Sequence, residues 1–410
     1  MVEISLGALS DEGVLLIGDG YRTKRSEYGV PGYRILRVAD VEDWRIGPVG
    51  GDFVSAQFLE AIGAKLSQPG DVLLTTKGTI GRVAILPDSS AQVVYSPQLC
   101  FFRVKDSQKL NRRYLAYWFK SPFFVSQAEF RANSTDMAPY ISLRDIRTLK
   151  LLLPSSRYQA AIAEVLGALD DKIAANDNAS RLALELADAM FFAAQRNSPT
   201  RMTIGELAER TTLEYGDGYR TKRAEHGNPG LRILRAGDVR GFQAFADGDD
   251  FVSDDYVKQI GPKRSQPGDI VMTTKGTVGR VAVVPSTLEQ VVYSPQLCYF
   301  RVKDEEELDS AYLAAWFRSA DRKSQSELLM YKSDMAPYIN LRDIRSLTVP
   351  IPDRSEMKEA GLVQRVLLDR FEVGCAENLA LARTRDELLP LLMSGKVRVK
   401  DAEAAVSDLL

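Results

Sequence analysis

Histidine is nearly missing from this 410-residue chain, and cysteine is scarce. The single histidine, His226, excludes a multi-histidine metal site and argues against a histidine general base; it reads as a surface loop residue. Cys100, Cys298 and Cys375 are too few and too scattered for a disulfide framework or a four-ligand zinc site, and read as small buried residues. No apolar run approaches the roughly 20 residues a membrane span needs, and no charged-then-apolar leader is present. A cytoplasmic protein with no membrane partner is expected. Charge of one sign is lacking too: 53 Lys and Arg stand against 55 Asp and Glu, a net charge of -2. With 45% hydrophobic and 26% charged residues, wholesale disorder is excluded, and the length allows two or three domains.

Catalytic signatures are also wanting. Thr75-Thr76-Lys77-Gly78-Thr79 has its lysine and glycine in the wrong order for a nucleotide phosphate loop, with no earlier glycine at the required place. Asp353, Glu356 and Lys358 follow Pro352 within one short stretch, whereas a metal nuclease needs carboxylates converging from separate positions; the stretch reads as a helix start. Asp136-Met137-Ala138-Pro139-Tyr140 only faintly resembles an Asp-Pro-Pro-Tyr signature, and reads as a turn before a helix capped by Ser142. No catalytic residue and no metal ligand is assigned.

What the chain does have is a duplication. Gly18 to Arg25 (GDGYRTKR) recurs as Gly216 to Arg223, an offset of 198. The same offset carries Thr75 to Thr79 onto Thr273 to Thr277, Val93 to Cys100 onto Val291 to Cys298, and Asp136 to Ile141 onto Asp334 to Ile339. No gap is needed from Gly18 to Pro154. Two copies of one folded domain follow.

Within each copy, short apolar runs punctuated by Gly and Pro predict strands. Asp71 to Thr76 and Ile80 to Leu86 predict a hairpin around Lys77-Gly78-Thr79, Leu99 to Val104 and Leu149 to Leu153 further strands, and Tyr114 onward a helix. After each copy the period becomes helical. Ile162, Val165, Leu166, Leu169, Ile173, Leu182, Leu186 and Met190 form one stripe, interrupted by Asn176 to Asn178. Leu362, Val366, Leu367, Phe371, Leu379, Leu381, Leu388 and Leu392 form the other. The fold class expected is α+β, two repeated mixed domains separated by a long antiparallel helix pair, each helix about 40 residues or roughly 60 Å. The boundaries are residues 1–155 and 198–353 for the repeated domains, with helical spacers at 156–197 and 354–410.

Charge is distributed unevenly. Ser156 to Met190 holds six acids against three bases, whereas Asp19 to Arg37 holds Arg22, Lys24, Arg25, Arg34 and Arg37 against Asp19 and Glu27. Local field governs phosphate binding, so a net charge near zero does not exclude DNA. Arg22, Lys24, Arg25, Lys77 and Arg82, with Arg220, Lys222, Arg223, Lys275 and Arg280, occupy glycine-containing loops suited to phosphates. Thr76, Thr79 and Gln98, with Thr274, Thr277 and Gln296, are candidates for base edges or phosphates.

At this point the chain resembles the specificity subunit of type I restriction-modification systems. Gly70-Asp71-Val72-Leu73-Leu74 leading to Lys77 to Arg82, repeated at Gly268 to Arg280, is similar to that family's target-recognition-domain motif. Leu169 to Ile173 resembles its central helical region, and Arg385 to Gly395 its C-terminal one. The resemblance implies a non-catalytic, double-stranded-DNA-binding subunit that joins two copies of an adenine methyltransferase subunit and, in some systems, ATP-dependent restriction subunits. S-adenosylmethionine, and ATP with Mg, would then sit on those partners. Each recognition domain would read half of a bipartite target, and the helices would fix the unread spacer. The near identity of the two copies departs from the family's usual pair of dissimilar domains, and implies a near-palindromic target. The alternatives are a modification or nuclease enzyme with its own active site, and a structural adaptor between proteins.

Overall fold

A computed structural model describes residues 2–47, 50–132, 140–196, 198, 200–330 and 337–407. The chain divides into two compact units, Met1–Ala175 with Glu377–Leu410, and Asn176–Ala376. Each unit contains one repeat and parts of two long helices, Ser156–Arg196 (the central helix) and Arg354–Met393 (the C-terminal helix). The fold is mixed α and β, as the sequence predicts. No helix among the described residues is long and apolar enough to cross a membrane.

In the first repeat, four antiparallel strands lie in the order Leu15–Asp19, Leu99–Val104, Val72–Thr75, Val83–Ile85. The last two form the predicted hairpin, Val72 facing Ile85 and Leu74 facing Val83. A second sheet sets Gly32–Leu36 between Phe53–Ser55, antiparallel, and Val93–Tyr95, parallel. The second repeat reproduces both sheets and adds Phe242–Ala244 and Val239–Arg240 to the edge of the first.

The strand Val72–Thr75 is buried along its whole length because apolar layers cover both of its faces. Side chains alternate: Val72, Leu74, Cys100 and Phe102 join a core with the helix Arg112–Lys120, which carries Trp118 and Phe119. Leu73, Leu99 and Phe101 face Leu36 and Tyr95 of the second sheet. Cys100 and Cys298 are buried, with burial pushing their thiols up, while Cys375 is half-buried. His226 is exposed.

A buried ion pair joins these layers. Arg103 donates through Nε and one terminal nitrogen to the two Asp71 oxygens, both at 2.7 Å. The Tyr95 hydroxyl donates to Asp71 at 2.7 Å and the Gln68 amide at 2.9 Å. Burial, then the Asp71 charge, pushes the Tyr95 hydroxyl far up. Asp269, Arg301, Tyr293 and Gln266 repeat the arrangement.

The long helices run antiparallel within each unit. In the first, Lys172 pairs with Glu377 at 3.1 Å and Arg385 with Asp170 at 2.7 Å. Asp170 also accepts the Tyr117 hydroxyl at 2.5 Å, while Arg385 lies over Trp44 at 5.2 Å. In the second, buried Gln364 donates to the Ala187 carbonyl at 3.1 Å, and Arg318 pairs with Asp188 at 2.8 Å. Asn176 to Asn178 does not interrupt the central helix.

The burial of these helices corrects the expected stripes. Ile162, Val165, Leu166 and Leu169 are buried, but Leu182, Leu186, Leu362, Val366 and Leu379 are exposed by half or more. Ala183, Leu184, Ala187 and Phe191 are buried instead. One helix packs in two different units, so the face each unit covers need not continue the other's. The expected Ser142 cap is present, its hydroxyl accepting the Asp145 amide at 3.1 Å. The helix anticipated after Pro352 begins at Arg354. Asp136 to Pro139 and Asp334 to Ala336 lie outside the described residues.

Removing one partner of a buried pair leaves the other charge uncompensated, at about 3–5 kcal/mol. Asp71→Ala is expected to destabilise the first unit by this amount in urea unfolding, and Asp269→Ala the second.

Candidate nucleic-acid interface

Three loops of each repeat converge because their backbones bond to one another. The Gly20 amide donates to the Leu99 carbonyl at 3.1 Å and the Tyr21 amide to that of Tyr95 at 2.7 Å. The Thr76 amide donates to the Gln98 carbonyl at 3.2 Å. Loops 18–25, 75–82 and 95–98 thus share one edge of the domain. Glycine is required at position 20, since a Cβ there would lie 2.0 Å from the Ser96 carbonyl oxygen. Gly218 meets Ser294 at the same distance. Lys65 ties the first loop from below, its Nζ 2.9 Å from the Gly20 carbonyl and 3.1 Å from Asp19. Lys263 does the same for Gly218 and Asp217 at 3.0 and 2.9 Å.

The 75–82 turn is organised by one hydroxyl. Thr75 Oγ1 donates to the Thr79 carbonyl at 2.5 Å and accepts the Arg82 amide at 3.0 Å; Thr273 bonds likewise to Thr277 and Arg280. Gly78 and Gly81 take positive φ, 76° and 92°, which glycine adopts without the steric cost other residues incur. Lys77 bridges to Tyr140 by backbone, and its Nζ lies 5.8 Å from that ring. Lys275 bridges to Tyr338.

Most of the candidate residues stand on this surface. Arg22, Lys24, Arg25, Lys77, Thr79 and Gln98 are exposed, as are Arg220, Lys222, Arg223, Lys275, Thr277, Arg280 and Gln296. Arg82 is half-buried and reaches the Val41 carbonyl at 3.3 Å. Thr76 and Thr274 differ: they are buried, with hydroxyls donating to the Gln98 and Gln296 carbonyls at 3.2 and 3.0 Å. Their position makes them braces between loops. The remaining bases of the 19–37 segment are engaged within the fold, Arg37 with Asp52 and Arg34 over Phe53.

Sequence reasoning missed Lys65, Lys263, Tyr140 and Tyr338 as parts of this edge. All four recur at the 198 offset, which was the available signal. Among the described residues, no group of three or more His, Cys, Asp or Glu is placed to hold a metal ion. The edge offers cations, amides and hydroxyls, a chemistry suited to phosphates and base edges.

Known proteins similar in sequence or fold are type I specificity domains and subunits. The sequence model of the family described as type I restriction modification DNA specificity domain matches residues 13–185 and again 200–373. The chain is 21% identical over 354 residues to the type I restriction enzyme MjaVIII specificity subunit of Methanocaldococcus jannaschii, covering 82% of this chain and 78% of that one. Its fold is similar to the crystal structure of a type I restriction-modification S subunit from M. genitalium, with a TM-score of 0.56, 14% identity and 95% of each chain covered.

Gly20→Ala and Gly218→Ala test the close approach. Inserting a methyl group against fixed backbone is expected to cost about 1–3 kcal/mol, measured by thermal unfolding, with the exposed cations of the adjoining loops displaced.

Proposed function

The chain belongs to the type I restriction modification DNA specificity family, and from this we propose that it reads a bipartite, near-palindromic double-stranded DNA target, one half-site per repeat. The observation that carries the reading is the sameness of the two exposed edges. Arg22, Lys24, Arg25, Lys77, Thr79 and Gln98 meet Arg220, Lys222, Arg223, Lys275, Thr277 and Gln296 without one substitution. Arginine and lysine would neutralise phosphates and fix register, while arginine and glutamine would take base edges. Equal surfaces read equal half-sites, and placed on opposite strands they give inverted halves. The differences Tyr28 to His226, Val30 to Asn228, Tyr33 to Leu231 and Arg45 to Gln243 fall outside the converged loops, where they would adjust individual bases.

On this reading the subunit is not itself a catalyst. It would direct two copies of a DNA adenine methyltransferase subunit, which carry S-adenosylmethionine, and in some systems ATP- and Mg-dependent restriction subunits. The exposed apolar residues Leu182, Leu186, Leu362 and Val366 suit a surface covered by such a partner.

Lys77→Met with Lys275→Met should weaken duplex binding regardless of sequence and reduce the log-log salt slope by about two phosphates, near 0.9 each. Unchanged affinity and slope in a folded variant would remove both lysines from the interface. The target itself is tested by sequencing methylated adenines in source cells with and without this gene. Loss of a motif with matching inverted halves is expected. Unrelated halves would overturn the equal reading, and an unchanged pattern beside an active methyltransferase would overturn the subunit assignment.

A further inference from the structure

In the turn that carries Lys77 and Arg82, the Gly81 carbonyl is met by a cation from the body of the domain. Lys120 Nζ lies 3.3 Å from that oxygen. In the second repeat the matching Gly279 carbonyl accepts a terminal nitrogen of Arg322 at 3.2 Å. The two cations do not correspond in sequence. The 198 offset matches Lys120 to Arg318, which turns instead to Asp188 at 2.8 Å. It matches Arg322 to Phe124, which packs on Trp118 and Phe119 at 5.5 and 5.2 Å. The same contact with the same carbonyl is therefore supplied from two places, although the surrounding helix sequence has diverged.

The surroundings of the two cations differ. Arg322 is 2% exposed and also donates through Nε to the Phe317 carbonyl at 2.6 Å. Burial lowers its guanidinium to about 10, which leaves it charged at neutral pH. Lys120 has a side chain 26% exposed and shares its ammonium with Asp43 at 2.8 Å. Salt screens partly exposed charges far more than buried ones.

We propose that Lys120 and Arg322 are positioning residues for DNA recognition, clamping the Lys77–Arg82 and Lys275–Arg280 turns from behind, with the first clamp weakened by salt and the second insensitive to it. The reason for a clamp lies in the turn itself. Gly276 and Gly279 take φ of 77° and 87°, and glycine loses more backbone freedom on ordering than any other residue. A turn ordered before DNA arrives spares that cost at binding. The role in recognition rests on the DNA reading above; the clamp does not.

Amide hydrogen exchange on the full chain reads the clamp without DNA. Raising salt from roughly 0.05 to 0.5 M shortens the Debye length several-fold, and should speed exchange at Gly81 and Arg82 several-fold while leaving Gly279 and Arg280 unchanged. Arg322→Phe installs the residue the first repeat carries against equivalent aromatic neighbours, so the core stays filled. It is expected to speed Gly279 and Arg280 about tenfold, with the strand Ile270–Thr273 unaffected, and Arg322→Lys should restore part of the protection. Equal salt response in both turns, or no local change in Arg322→Phe, overturns the proposal. Binding to a random-sequence duplex completes the test. Arg322→Phe should weaken it several-fold. If the lysine double variant weakens binding and Arg322→Phe does not, the positioning role fails; if neither does, the DNA reading of these turns fails.

Discussion

Each repeat is organised around a carboxylate taken out of water. Asp71 precedes the strand Val72–Thr75, receives Nε and one terminal nitrogen of Arg103 from the neighbouring strand, and receives the Tyr95 hydroxyl from the second sheet. The two sheets are thereby joined at one point by charge-assisted bonds whose geometry tolerates little displacement. The loops of the basic edge depend on that junction, because Tyr95 also supplies the carbonyl that holds Tyr21 and stands next to Ser96, against which Gly20 packs. A buried ion pair is a poor source of net stability compared with apolar packing. Its worth here is geometric, fixing which strand ends meet.

That division explains why the polar residues of the shared motifs do two kinds of work. Asp71, Thr75 and Thr76 are buried and spend their bonds on strands and loops, while Lys77, Thr79 and Gln98 between and beside them are exposed. A segment such as Thr75 to Thr79 places buried framework residues and exposed residues next to each other, so residue type alone does not separate them. The alternation of a strand entering a turn does.

Much of this was legible in the sequence. The duplication, the hairpin around Lys77 and the helical character after each repeat follow from identity at a fixed offset and from periodicity. The role of Asp71 was not, since an acid at the start of a predicted strand gives no sign of burial until its partners Arg103 and Tyr95 are brought beside it from 32 and 24 residues away. The helix stripes are legible only in part for a related reason: Ile162, Val165, Leu166, Leu169, Phe371, Leu381 and Leu392 are buried, whereas Leu182, Leu186, Leu362, Val366 and Leu379 are not. Periodicity marks apolar positions without saying which ones a given neighbour covers, and Leu182 and Leu186 continue the pattern while remaining half exposed. Thr76 and Thr79 share one chemistry, and only burial and the bond from Thr76 to the Gln98 carbonyl separate them.

The course of the chain through its two units has a genetic consequence. Asn176–Ala376 is one uninterrupted segment, whereas the other unit is assembled from both ends of the chain. Topologically the second unit is an insert whose two junctions, Ala175–Asn176 and Ala376–Glu377, both fall inside helices. Recombination at those points would replace an entire repeat together with the helical segments that pack on it, leaving the cores of both units whole. A crossover at the ends of the helices would instead separate a repeat from the side chains that cover it.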